Sequence, residues 1–399
     1  MTHLQSGPLA GIRILDLSTM IAAPYGATLL SDFGAEVIKV EIPNKGDTLR
    51  SMGLFKDGEP LRWPGLARNK KSLTLDLHHE EGQEILRKLV RQSDIVIENF
   101  RPNTLEKWNL GYEQLKKCNE NIIMIRVSGY GQTGPYAPKA GFGTPATAFS
   151  GYTYLQGFSD RPPISPSFSL LDYITGVYVA FASCAALFHR DTEGGQGQTV
   201  DLGLYESMFR MMEFLVADYD QNGIVKERSP GLSGIPAQQE LFKRKMGTGL
   251  CSPSDPTFAR LAAAMNREDM LKDDRYYTNA VRLQRFEETN GIVADWVKSW
   301  DRDELLVHLD HHGVPISAIN SIEDIFNDPH FNERNNIIEM KHPRLGAIKM
   351  PGVVPKFSAT PGSVTNVGPD LGAHNEEILS SMIGLDEHRI QQLKNQGVI

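Results

Sequence analysis

A chain that alternates short apolar runs with helical runs has few ways to fold, and the first third of this chain does so. Ile12–Leu17 reads as an apolar strand, and Pro24–Phe33 as a helix with proline in its first turn. Val37–Glu41 is a second strand, and Glu80–Arg91 has helical periodicity through Ile85, Leu86 and Leu89. Ile95–Ile97 and Ile122–Val127 are further strands. Strands separated by helices predict an α/β fold, a parallel sheet with helices on both faces. Ligands of such sheets bind beyond the carboxyl ends of the strands. Here those ends are Ser18–Ala23, Ile42–Asp47, Glu98–Asn103 and Ser128–Pro135.

With 399 residues, two domains are expected. Gly129–Pro166 is rich in Gly, Pro, Ser and Tyr and reads as a long ordered loop. Asp172–Phe188 reads as a buried helix, Thr199–Leu204 as a strand and Tyr205–Tyr219 as one Met-rich helix. Composition breaks at Asp220–Gln239. The helical segments Phe258–Leu271, Asn290–Trp300 and Asp303–His312 and the strand Ile316–Ile319 then belong to a smaller domain. Asn335–Pro355 carries two short strands around Gly346, and Asn375–Leu379 and Glu387–Asn395 make a helical tail.

Several functions are set aside on composition and motif. The formal charge of −8 argues against nucleic acid as a partner. The three cysteines, Cys118, Cys184 and Cys251, form no C-x-x-C pair and fit reduced thiols in a cytoplasmic protein. Met1–Pro8 has no basic run followed by an apolar stretch, so no secretory signal is expected. Tyr173–Phe188, broken by Thr, Ser and Gly, is too short to span a membrane. The segment after the first strand, Ser18–Pro24, has no Gly-x-Gly-x-x-Gly, which argues against a dinucleotide cofactor. Neither a Walker A sequence nor a Gly-x-Ser-x-Gly elbow is present. His308, His311 and His312 cluster before the Gly313-Val314-Pro315 turn, where a helix end explains them better than a metal.

Asp172 stands alone in an apolar run from Leu170 to Phe188. A carboxylate there has two readings: a helix N-cap, or a partly dry nucleophile. Asn69-Lys70-Lys71-Ser72, between the second and third strands, likewise reads as a solvated turn or as point charges for a phosphate.

An ordered set of segments resolves these choices by resemblance. They are Pro8–Leu17, Gly34–Glu41 with Gly46-Asp47, Asn69–Ser72, Glu98–Pro102, Gly129–Pro135, Asp172 with Gly176, Gly195–Asp201 and Gly313–Pro315. Together they resemble the class III CoA-transferase family, which includes formyl-CoA:oxalate and carnitine CoA-transferases and the α-methylacyl-CoA racemases. The resemblance implies a Rossmann-like large domain from residues 1–221 and the return segment 329–399. A smaller α+β domain would occupy 222–328, and two chains would interlock as a homodimer. It implies Asp172 as the catalytic residue. Coenzyme A, as substrate with no tightly bound cofactor, would contact Met20, Ile21, Lys71, Asn99, Phe100, Lys107 and Lys139. The implied chemistry moves CoA from an acyl-CoA to a carboxylic acid through an aspartyl mixed anhydride and an aspartyl-CoA thioester. The glycines of Gly129–Gly134 and Gly231–Gly234 are expected to offer amides to the oxyanion.

Two departures from the family bear on function. Racemases of this family carry Gly-His-Asp where this chain has Gly141-Phe142-Gly143, so the partner for proton exchange is missing. Phe242–Cys251 is basic and shortened relative to the family. An α-methylacyl-CoA racemase using Asp172 as base, and a non-catalytic CoA-binding protein, are therefore the rival readings.

Overall fold

The computed structural model describes residues 6–192, 194–228, 239–242, 248–251 and 254–399. It divides into two compact units. The larger comprises Met1–Gln156, Pro163–Lys226 and Asn335–Ile399, and the smaller Gly157–Pro162 and Glu227–Arg334. Both breaks fall a few residues after the expected 222 and 328, and the short segment 157–162 groups with the smaller unit.

The larger unit is built on six parallel strands: β1 (Arg13–Asp16), β2 (Glu36–Glu41), β3 (Lys70–Thr74), β4 (Ile95–Glu98), β5 (Ile123–Ser128) and β6 (Thr199–Gly203). Their order is β3-β2-β1-β4-β5-β6. That order reverses between β1 and β4, where doubly wound sheets open a ligand crevice. Burial on both faces explains the adjacent apolar residues that make β1, β2, β4 and β5 readable. Leu15, Ile38, Leu73, Val96 and Met124 pack on one face with α2 (Glu80–Val90) and the C-terminal residues Ile378, Leu379, Ile390 and Leu393. Ile14, Val37, Ile97, Ile123 and Ile125 pack on the other with α1 (Ala22–Asp32).

Strand β3 corrects the expected turn at Asn69–Ser72. Lys70 begins the strand fully buried, its ammonium 2.9 Å from Asp16 Oδ2, so the ion pair replaces the water a turn would have supplied. The loop Gly129–Pro166 holds two short helices, α3 (Gly143–Phe149) and Tyr152–Leu155. Tyr205–Tyr219 is two helices rather than one, Leu204–Met211 and Glu213–Asn222, divided where Met212 leaves helical geometry (φ −108°, ψ 36°).

Helix α4 spans Leu170–Thr192, longer than its sequence reading, and is long and apolar enough to cross a bilayer. In this fold it packs along α1 instead. Two glycines allow the close approach: a Cβ on Gly26 would lie 2.5 Å from Val179 Cγ1, and one on Gly176 would lie 2.8 Å from the Ala22 carbonyl oxygen. The contacts advance together along both helices, so α1 and α4 run in the same direction. Because α1 leaves the carboxyl end of β1, the start of α4 lies at that same edge of the sheet.

The smaller unit packs the helices Asp255–Ala264, Phe286–Val297 and Arg302–His311 around Phe258, Leu261, Val293, Leu305 and Leu309. A three-stranded antiparallel sheet has Thr248–Cys251 between Gln239–Phe242 and Ile316–Ala318. Arg282 is fully buried there, its guanidinium carbon 4.1 Å from the Phe258 ring centroid and Nη2 2.6 Å from Asp255.

Candidate active site

The carboxyl edge of the sheet is organised by buried charges. Lys39 reaches Asp47 at 3.2 Å and Asp16 at 3.9 Å, and also donates to the Ser18 carbonyl. Burial pushes the Asp16 carboxyl up, but Lys39 and Lys70 more than offset it and hold it below the usual range. Burial alone would lower the Lys39 ammonium, yet Asp16, Asp47 and Glu41 raise it. The charged forms therefore persist, and they fix the loop after β1. Asp47 Oδ1 accepts from the Met20 N–H at 3.1 Å. Asn99 clamps Thr19 from both sides, accepting its N–H at 2.8 Å and donating to its carbonyl at 2.8 Å. Between these ties Met20 is held left-handed (φ 71°), a strain that non-glycine residues accept where surrounding structure imposes it.

Beside this loop lies a cavity of about 190 Å³ lined by Thr19, Asp47, His78, Phe100 and Trp108 among others. The Trp108 indole meets His78 edge-on at 4.6 Å and Phe100 at 5.4 Å between centroids. The residues expected to touch CoA divide accordingly. Phe100 lines the cavity; Met20 and Asn99 are tied to two of its lining residues, Asp47 and Thr19, and the Ile21 side chain is buried against Leu49 and Trp63. Lys107, in the short helix Thr104–Lys107, is exposed and adjoins Trp108 in sequence. Lys139 is also exposed, with its ammonium 3.5 Å from the Tyr136 ring centroid. Lys71 is not with them. It ion-pairs with Glu36, the first residue of β2, at 2.8 Å, and with Glu377 at 2.7 Å, toward the opposite end of the strands. Neither His78 nor Trp108 carries a sequence signal that separates it from an ordinary loop residue.

Asp172 is the third residue of α4, not its cap, and no hydrogen bond reaches its carboxylate among the described residues. Burial pushes the carboxyl up to about 6. It lies on Gly143: a Cβ added there would stand 2.5 Å from Asp172 Oδ2 and 3.1 Å from Cγ. Gly143 occupies the position of the aspartate in the racemase pattern, so a side chain there and this placement of Asp172 exclude each other. Phe142 is 66% exposed and points no acid or base at the site. A cavity of about 290 Å³ opens over Asp172, with Arg62, Gly143, Thr144 and Ser167 in its lining.

Of the glycines expected to serve an oxyanion, Gly129 packs against Gly141, and the neighbouring Gln132 N–H is occupied by the Asp201 carboxylate at 2.9 Å. Gly231–Gly234 lie outside the described residues. Gly143 and Thr144 start α3, so their N–H groups have no acceptor within that helix. His308 bonds the Ala264 carbonyl at 2.9 Å and stacks on Trp300, and His312 bonds the His308 carbonyl.

Residues 9–375 match CoA-transferase family III. The chain is 42% identical over 395 residues to succinyl-CoA–D-citramalate CoA-transferase of Chloroflexus aurantiacus, across 98% of each chain. It is 42% identical over 398 residues to the beta subunit of succinyl-CoA–L-malate CoA-transferase of the same organism, again across 98% of each. Among solved structures it resembles a CAIB/BAIF family protein from Brucella suis, with a TM-score of 0.82 and 30% identity over 95% of this chain and 100% of that one. The chain belongs to CoA-transferase family III and is an enzyme that transfers CoA between carboxylic acids.

Proposed function

We propose that this enzyme moves CoA from succinyl-CoA to a short hydroxylated dicarboxylate of the malate or citramalate type, with Asp172 as nucleophile. The observation that carries the reading is a carboxylate with no hydrogen bond among the described residues, raised to about 6 by burial, in the lining of a cavity on the carboxyl edge of the sheet. A raised pKa makes the carboxylate more basic, yet near neutral pH it is still mostly ionised and able to attack. The acids named for the two relatives at 42% identity supply the substrate class.

An Asp172 oxygen attacks the thioester carbon, the C–S bond breaks, and a mixed anhydride and CoA thiolate form. The thiolate attacks the Asp172 carbonyl carbon, releasing succinate and leaving an aspartyl-CoA thioester. The acceptor carboxylate attacks that carbon and expels the thiolate, giving a second anhydride. The thiolate then attacks the acceptor acyl carbon, forming the new thioester and freeing Asp172. No ATP is needed, since one thioester replaces another. The N–H groups of Gly143 and Thr144, which have no acceptor within their helix and belong to residues lining the Asp172 cavity, receive the oxyanions.

CoA lies along the edge marked by Met20, Ile21, Asn99 and Phe100, with its flat base among the rings of Phe100, Trp108 and His78. The exposed Lys107 and Lys139 would meet its phosphates. The working form is a homodimer in the cytoplasm. Val177, Phe181 and Phe188 on α4 are 54%, 68% and 68% exposed, an apolar stripe that a second chain would cover. The test is a panel of acyl-CoA donors against carboxylic acids, read by mass spectrometry. Succinyl-CoA with malate or citramalate should lead it; transfer confined to other acid classes would overturn the assignment.

A further inference from the structure

Arg62 lines the cavity over Asp172 and is the only cation in that lining among the described residues. The arginines before and after it in sequence are neutralised: Arg50 holds Glu41 at 2.7 Å and Arg68 holds Asp32 at 2.5 Å. The Arg62 guanidinium makes no ion pair or hydrogen bond among the described residues, and it does not pair with Asp172. Its stem runs over Gly53, where an added Cβ would lie 3.1 Å from both Cδ and Nε and the backbone is left-handed (φ +90°). Tyr173 lies within electrostatic reach of both groups: Arg62 lowers its hydroxyl pKa and Asp172 raises it, against a larger upward push from burial. One cavity thus holds a nucleophile and, on its exposed side, a separate cation with no protein partner among the described residues.

We propose that Arg62 binds the distal carboxylate of a dicarboxylic substrate and so selects dicarboxylic over monocarboxylic acids. The proposal rests on the reading of Asp172 as the site of CoA transfer. In a dicarboxylic acid one carboxyl becomes the thioester and the other stays ionised. That second charge must enter a cavity containing ionised Asp172, where a like charge is disfavoured. A guanidinium answers it with a planar fork that matches a carboxylate, holding the reacting carboxyl at the other end of the cavity. The donor succinyl group and the acceptor acid meet the same requirement in turn, so one arginine serves both halves of the exchange.

The experiment compares wild type, Arg62→Gln and Arg62→Lys in two reactions: succinyl-CoA with L-malate, and butyryl-CoA with acetate, which has no distal charge. Arg62→Gln should raise KM for malate and for succinyl-CoA by about 10- to 100-fold. It should leave the butyryl-CoA reaction and the Kd of free CoA unchanged, and Arg62→Lys should recover part of the loss. Equal losses in both reactions, weaker binding of free CoA, or an unchanged malate KM would each overturn the anchor. If wild type transfers CoA to malate and Arg62→Gln does so equally well, the anchor alone fails. If wild type serves no dicarboxylate, the substrate class fails and the anchor with it.

Discussion

Asp172→Asn should stabilise the protein while ending its chemistry. Burial lifts the carboxyl from an ordinary 3.8 to about 6 in the folded chain. A gap of about two pKa units corresponds to a ceiling of about 3 kcal/mol, and partial exposure to water reduces it to about 1–2 kcal/mol. The folded pKa lies above the unfolded one, so the folded state holds the proton more tightly. The penalty for ionisation is absent below about pH 4, grows as pH rises through 3.8 to 6, and is complete above that window. Asparagine keeps the shape and carries no charge, so its advantage should follow that curve. For a chain of this size the gain is about 1–3 °C in Tm at pH 7.5, vanishing near pH 4. Thermal melts of both proteins across this pH range would show it. A variant no more stable than wild type at pH 7.5, or one whose difference does not change with pH, would mean that the Asp172 carboxylate carries no burial penalty, and the reasoning would be wrong.

Gly143→Ala should lower kcat by about 10- to 100-fold with CoA affinity kept, because its β-carbon must push the Asp172 carboxylate aside; steady-state kinetics with a CoA-binding titration check this. Asp47→Ala removes the nearer of the two carboxylates that buried Lys39 reaches and frees the Met20 N–H, so the urea midpoint should fall by the equivalent of about 1–3 kcal/mol and CoA should bind more weakly. In sedimentation the protein should run as a dimer that does not dissociate on dilution. A concentration-dependent monomer would contradict the interlocked assembly.

Much of the fold could be read because β1, β2, β4 and β5 are buried on both faces and so place apolar residues next to one another, as in Val37-Ile38, Ile95-Val96-Ile97 and Ile123-Met124-Ile125. Strand β3 could not, because its first two residues are lysines. The partner that lets Lys70 enter the core is Asp16, which no local pattern connects to it. Asp172 was visible through its isolation among apolar residues. Its contact with Gly143 was not, since only the packing of α3 against α4 creates it. The resemblance carried a lysine at position 71 but not the Glu36 and Glu377 that claim it. Arg62, His78 and Trp108 lie in loops and short turns, where side-chain direction has no period to follow.

The most direct test of the central claim is to incubate the enzyme with succinyl-CoA, treat it with borohydride or hydroxylamine, and map the modified peptide by mass spectrometry. The account predicts a trapped aspartyl-CoA thioester whose mass change falls on Asp172 and disappears in Asp172→Asn. Deuterium exchange at the α-carbon of a 2-methylacyl-CoA in heavy water, with no adduct on Asp172, would contradict it and place the enzyme with the racemases.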